Sequence, residues 1–349
     1  MSWDDELNER KKAILRSIVD DYIHTAQPVG SRAISRKHEL GLSSATIRNE
    51  MADLEELGYI AQPHTSAGRV PSDKGYRFYV DNLVQIQDLA NEEMQRIRTA
   101  MDEHIGELGV LVKRAATLIS AVTGYTTVAM TPKIEDSPIR TIQLVPVGGQ
   151  RVLVIAVISG GVVNSRVVRL ENEVPDEDIH RMSAYLSAKL EGHMAGEMTI
   201  RFLADMEDAL SLPDGVVLPV VEGLRECMRR IGHAEIMLDG MTNMFNFPEF
   251  ADLFKARELM DLLRDEDVLA NLLQTAASRS VPEVRIGSEN QIGSLKDLSL
   301  VTAGYGDGDR RYGAIGVIGP TRMAYSRVIS SLDYVRKLLD REILRLIRD

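Results

Sequence analysis

The chain has 349 residues, 44% of them hydrophobic and 27% charged, with a net charge of −11. That is the balance of an ordinary folded protein with room for two or three domains, and it excludes wholesale disorder. A single cysteine, Cys227, rules out an intramolecular disulfide and a zinc site built on several thiolates. The apolar run Val152 to Val163 lies between Arg151 and Arg166, short of the about 20 apolar residues of a membrane span. The start, Met1 to Glu6, lacks the basic and apolar regions of a signal peptide, so a cytoplasmic location and no membrane partner are expected.

The acidity is uneven. Residues 1–80 carry 11 Lys/Arg against 12 Asp/Glu, and the remaining residues carry a balance of −10. Within 60–80, Arg69, Lys74 and Arg77 face only Asp73. A polyanionic partner would therefore meet a local patch, with the acidic bulk held elsewhere.

Apolar residues at helical spacing predict a helix over Leu7 to Thr25, ending before Pro28-Val29-Gly30. Ser31 is expected to cap a short helix, Arg32 to His38, followed by a turn at Gly41. Ser43 or Ser44 caps a third helix reaching Leu57, with Gly58 just past its end. Ile47, Met51, Leu54 and Leu57 face inward; Thr46, Asn49, Asp53 and Glu56 face outward, with Arg48 near the boundary. Tyr59 to Val70 then reads as a hairpin with its tip at Pro63 to Gly68. Three helices and a hairpin in this order make a winged helix-turn-helix.

Helical spacing resumes at Asp73 and continues with breaks to Thr123, weakened by Gly106 and Gly109, so two helices or a bent one are expected. Alternation then predicts strands over 126–130, 139–147, 151–159 and 162–170, separated by turns at Gly148-Gly149-Gln150 and Gly160-Gly161. A helical block spans Pro175 to Gly232. Strands return at 234–238, 284–286, 298–303 and 312–318, and a final helix covers Met323 to Ile347. A meander, a helical block and further strands imply a multidomain α+β chain with a mainly helical insertion.

Early residues of the second helix of such a motif meet base edges, and flanking groups grip phosphates. Ser43, Ser44 and Thr46 are hydroxyls near that helix start. Arg48 suits guanine and Asn49 suits adenine, although Arg48 could instead pair with Glu55 or Glu56. The wing tip, with His64, Thr65, Ser66 and Arg69, suits phosphates or a minor groove. Ser31, Arg32 and Arg77 complete the expected DNA-contacting set.

The motifs go further than the architecture. Pro28-Val29-Gly30-Ser31, Ser44 to Met51, Leu54 to Tyr59 and Pro63 to Pro71 occur in order, ending in Gly75-Tyr76-Arg77-Phe78-Tyr79-Val80-Asp81. About a quarter of the chain thus resembles the bacterial heat-inducible transcription repressor family HrcA. Asn243-Met244-Phe245-Asn246, Pro248-Glu249-Phe250 and Tyr312 to Pro320 resemble it more loosely. The resemblance implies a dimeric repressor of chaperone operons that binds double-stranded operator DNA, the inverted repeat called CIRCE. It implies a GAF-like domain interrupted by a dimerising insertion, and the chaperonin GroEL as the partner that keeps the repressor active. The expected divisions are 1–82 for DNA binding, 83–124 as a helical linker or the start of the GAF-like domain, 125–172 with 233–349 as the GAF-like domain, and 173–232 as the insertion. The alternative is a chaperone-associated interaction module whose winged helix binds protein.

Neither an enzyme nor a cofactor is expected. The paired glycines are turns with no GxxxxGK phosphate loop, and Gly304 to Asp309 is a hairpin loop lacking EF-hand spacing. The histidines form no metal motif. Cys227 lies among apolar helical residues and reads as a buried small side chain. Asp265, Glu266 and Asp267 are a helix start favoured by the macrodipole. Met241 to Phe250 suits either core packing or a partner surface.

Overall fold

A computed structural model describes residues 7–38, 40–64, 67–85, 89–101, 108–131, 139–158, 163–193, 215–231, 234–277, 281–290, 293–307 and 310–348. Helix α1, Glu9–Thr25, is capped by Asn8, whose side chain accepts from the Lys11 amide, and buries Ile14, Leu15, Ile18 and Val19. Helix α2, Ser31–Lys37, begins one residue earlier than expected. Gly30 is its extended N-cap and Ser31 is already helical, so the Ser31 hydroxyl forms no cap. Ser43 caps α3, Ser44–Glu56, by accepting from the Thr46 amide, and Gly58 takes the left-handed conformation beyond it, φ +80°.

Strands β1, Ile60–Ala61, and β2, Val70–Pro71, pair antiparallel. The wing is fastened at its base, where the Val29 and Arg69 amides each donate to the other residue's carbonyl at 2.8 Å. The close approach requires glycine: a Cβ on Gly68 would stand 2.5 Å from the Val29 carbonyl oxygen. Helix α4, Asp73–Phe78, then runs into a π-helical turn, Tyr79–Leu83. Where two helices or a bent one were expected there are three pieces, continuing as α5, Asn91–Met101, and α6, Leu108–Thr123. Gly109 lies inside α6; Gly106 is outside the described residues.

Eight strands follow: β3, Thr126–Met130; β4, Ile139–Pro146; β5, Arg151–Ile158; β6, Val163–Arg169; β7, Ile236–Asp239; β8, Glu283–Ile286; β9, Leu298–Asp307; and β10, Arg310–Pro320. They divide differently from the expected meander. Strand β3 joins an antiparallel sheet of order β7-β3-β10-β9-β8, whereas β4-β5-β6 form a sheet of their own. All five residues of β3 are buried, because helices cover both faces of the larger sheet. One face packs Ala129, Val301, Ala303, Ile315 and Val317 with α6 and the final helix α11, Tyr325–Arg348. The other packs Val128, Met130, Leu300, Ala314 and Ile318 with α9, Leu253–Arg264, and α10, Glu266–Ala277.

The smaller sheet buries Val152, Val154, Ala156 and Ile158 against α7, Asp176–Leu190, and α8, Val217–Ile231, in a separate core. The expected insertion, 173–232, thus contributes the helices, and the strands they pack against come from 139–169, ahead of its expected start. The two ends of the whole unit are pinned together: the Thr131 amide donates to the Glu235 carbonyl at 2.9 Å, and the Glu235 amide donates to Thr131 Oγ1 at 2.8 Å.

The expected loop at Gly304 to Asp309 is largely strand, with β9 extending through Asp307. The Tyr305 side chain is wholly buried and its hydroxyl donates to the Met130 carbonyl at 2.6 Å. Met241 to Phe250 mostly packs inward: Met244 and Phe250 are buried, and Phe247 stacks on Tyr125 at 5.1 Å between centroids. Phe245 points outward. Cys227 is buried in the smaller unit's core.

Replacing Leu186, fully buried in that core, with Ala should cost about 2–5 kcal/mol of local stability. Because the two sheets have separate cores, amide exchange should accelerate within 139–193 while β9 and β10 stay protected. Equal loss in both sheets would contradict the separation.

Candidate nucleic-acid interface

Helix α3 is held by its apolar side and by ion pairs along its flanks. Ile47, Met51 and Leu54 are buried, and from α1 the Lys11 ammonium reaches both Glu50 and Asp53 at 2.8 Å. Its hydrogen bonds to Asp53 and Glu50 hold Lys11 above its usual pKa. Arg10 adds a contact to Glu50 at 3.3 Å. On the other flank Arg69 takes Glu55, with Nε at 2.9 Å and Nη2 at 2.8 Å. Three carboxylates of α3 are thus neutralised by cations beside them, which weakens their repulsion of an approaching polyanion.

Between those flanks Arg48 and Asn49 are exposed, and they hold no hydrogen-bond or ion-pair partner among the described residues. The Arg48 pairing with Glu55 or Glu56 does not form: Glu55 is occupied by Arg69, and Glu56 lies eight residues, more than two helical turns, farther along α3. Ser43 is committed to the cap, its hydroxyl 2.9 Å from Thr46 Oγ1, and Ser44 and Thr46 are half-buried. Arg32 is exposed on α2 while Ser31 is half-buried. Arg36, one turn beyond Arg32, is exposed as well. It went unnoticed in the sequence, although the four-residue spacing of two arginines on one short helix was the available signal. His64 is exposed at the wing, while Thr65 and Ser66 lie outside the described residues.

Arg69 and Arg77 are placed differently from this open group. Arg69 lies along α3 on Glu55. Arg77 turns toward the larger sheet: Nε donates to Glu289 at 2.7 Å, Nη2 to the Val284 carbonyl at 2.6 Å and Nη1 to Asp81 at 3.1 Å. Next to it the Asp73 carboxylate accepts from the Ser288 amide at 2.8 Å. The Tyr76 ring sits 6.0 Å from that of Tyr325, and burial pushes the Tyr76 hydroxyl well above its usual pKa. Farther round, Arg322 binds Glu249 and donates to the Ile23 carbonyl at the end of α1, 3.1 Å away.

A second open surface lies on the smaller sheet. Its register sets Val145, Leu153 and Val167 across the outer face, with Thr141, Val157 and Val163 in a parallel row. Ile155 stands between the rows. Gln143 and Ser165 flank Ile155 in that middle row, and Arg151 pairs with Arg169 at one end of the same face. Val163 and Val167 are 56% and 52% exposed, so the uncovered face of an otherwise ordinary two-layer unit carries exposed valines among polar residues.

A family model described as the HrcA protein C-terminal domain matches residues 109–329. Proteins named heat-inducible transcription repressor HrcA are similar over nearly the whole chain. That of Acetivibrio thermocellus is 43% identical, covering 98% of this chain and 97% of the relative. That of Ruminiclostridium cellulolyticum is 42% identical over 98% and 99%, and that of Geobacter sulfurreducens 39% over 96% and 98%. A crystal structure titled only as a hypothetical protein superposes with a TM-score of 0.71 at 25% identity, covering 98% of this chain and all of that one. The chain belongs to the HrcA family. It is a heat-inducible transcription repressor and not an enzyme. Among the described residues no helix is long and apolar enough to cross a membrane.

Arg77 and Glu289 are each about one-third exposed, 30% and 34%, so solvent screens their attraction. A double-mutant cycle with Arg77→Ala and Glu289→Ala should give a coupling of about 1 kcal/mol in thermal denaturation. A coupling indistinguishable from zero would refute the clamp.

Proposed function

We propose that the chain represses transcription as a homodimer that reads an inverted-repeat operator of the CIRCE type. In this reading α1 to α3 with the β1–β2 hairpin form a winged helix-turn-helix, and α3 enters a major groove in each half-site. The observation that carries it is the exposed, unpartnered Arg48 and Asn49 on a helix whose neighbouring carboxylates are already neutralised. Arg32 and Arg36 supply phosphate contacts, with His64 on the wing beside the same backbone. Arg69 acts as a positioning residue that fixes the wing to α3, and Arg77 positions the whole DNA-reading part against the body.

The five-stranded sheet with its helices forms the GAF-like domain, and the unit over 139–231 is the dimerising insertion. The outer face of its sheet is the closing surface: a two-fold contact needs one patch that complements itself, and a flat sheet face with exposed valines set among polar residues can provide it. Dimer symmetry then sets half-site spacing. GroEL enters as the family resemblance implies, as the partner that keeps the repressor active.

Fluorescence anisotropy with an inverted-repeat duplex and a scrambled one, over a salt series with and without GroEL, tests the reading. Preference for the repeat, weakened by salt and strengthened by GroEL, is the expected result. No preference in either condition would favour the protein-binding alternative. Asn49→Ala should lose about 1–3 kcal/mol of discrimination between the duplexes. Arg32→Ala should weaken both alike and lower the slope of log affinity against log salt by about 1. For the dimer, Ile155→Asp should yield monomers in sedimentation velocity, and an unchanged dimer would move the interface elsewhere.

A further inference from the structure

The exposed ridge of α3 runs Ala45, Arg48, Asn49, Ala52 and Glu56, with Arg48 and Asn49 each three or four residues from both alanines and therefore on the same side. The other exposed position of the helix, Asp53, is charged, so the two alanines bracket the arginine and the asparagine in a ridge otherwise made of long or polar side chains. We propose that Ala45 and Ala52 are specificity-determining residues whose methyl groups pack on thymine C5-methyls on either side of the bases read by Arg48 and Asn49. This rests on the DNA-reading proposal above and extends it to which bases are read.

Several constraints converge on that assignment. At 1.5 Å per residue, Ala45 and Ala52 stand about 10 Å apart along the axis, close to three base steps of about 3.4 Å. Neither side chain extends beyond Cβ, so the helix backbone comes nearer the groove floor at both ends of this window than a longer residue would allow. The thymine methyl is the one apolar feature that bases present in the major groove. Against any other edge the alanine methyl would cover a donor or acceptor without replacing its lost water. Glu56, one turn beyond Ala52, is exposed and without a partner among the described residues. Its charge opposes phosphates and ends the window there. The base-reading window therefore runs from Ala45 to Ala52 and stops short of the helix end, with the N-terminus, whose dipole favours an anion, nearest the DNA.

The test removes one methyl at a time from the DNA. Each thymine of one half-site is replaced by deoxyuridine, and affinity is measured for the full-length protein and for A45S and A52S, which put a polar hydroxyl on the Cβ at a modest cost in helix preference. For the unaltered protein, loss of a contacted methyl should weaken binding about fourfold at two positions spaced as above. A52S should become insensitive to deoxyuridine at one of them and keep its sensitivity at the other, with A45S showing the reverse. Thermal denaturation of each variant separates lost contact from lost folding. If the unmodified repeat is preferred but no deoxyuridine matters, or both variants keep both sensitivities, this inference fails and the DNA-reading proposal stands. If the unmodified repeat is not preferred over a scrambled duplex, both fail together.

Discussion

The structure depends on one short stretch that serves two bodies at once. In α4, Gly75 lies so close to the Tyr59 carbonyl that a Cβ would stand 2.1 Å from its oxygen, which locks the hairpin strands onto the helix. The residues on either side reach the other way. Asp73 accepts from Ser288, Tyr76 lies against Tyr325, and Arg77 takes Glu289 and the Val284 carbonyl. The N-terminal helices and the five-stranded sheet are thus joined through side chains one to four residues apart. Their apolar residues belong to one continuous core running from α1 to α11. Orientation of α3 relative to the rest of the molecule is set by the backbone of α4, not by a linker.

Much of this was legible in the sequence where local rules dominate. The three N-terminal helices, the Ser43 cap and Gly58 follow from spacing and capping chemistry, and each is found within a residue or two of its expected bounds. What escaped was information held by partners distant in the chain. Thr126 to Met130 looks like the first strand of a meander, yet all five of its residues are buried whereas the burial of β5 alternates along its nearly continuous apolar sequence. Burial on both faces explains the difference. Gly304 and Gly306 suggested a loop, but they flank a buried Tyr305 whose hydroxyl needs the Met130 carbonyl. Arg69 and Arg77 looked like free cations because Glu55 and Glu289 are 14 and 212 residues away along the chain. Spacing marks a basic residue without revealing which carboxylate is near it.

The same ion pairs reconcile an acidic protein with a polyanionic partner. The net charge of −11 is distributed so that α3 carries few unbalanced carboxylates. Long-range repulsion decays within about 8 Å at physiological ionic strength, so the local arrangement around α3 outweighs the distant excess. Those pairs also hold α3 between α1 and the wing, which makes the electrostatic preparation of the surface and its rigidity consequences of the same contacts.

The pinned junction at Thr131 and Glu235 bears on how such a molecule could have arisen. Strands β3 and β7 are neighbours in the sheet, paired from Thr127 with Asp239 to Met130 with Ile236. In topological terms the whole three-stranded unit is the loop of a β-hairpin, enlarged until it acquired its own core. Because entry and exit are adjacent and hydrogen-bonded, its growth leaves the parent sheet's pairing untouched, the circumstance in which domain insertions are tolerated. The parent sheet and the guest unit are therefore free to diverge at different rates, the parent constrained by the N-terminal helices docked on it and the guest by its own separate core.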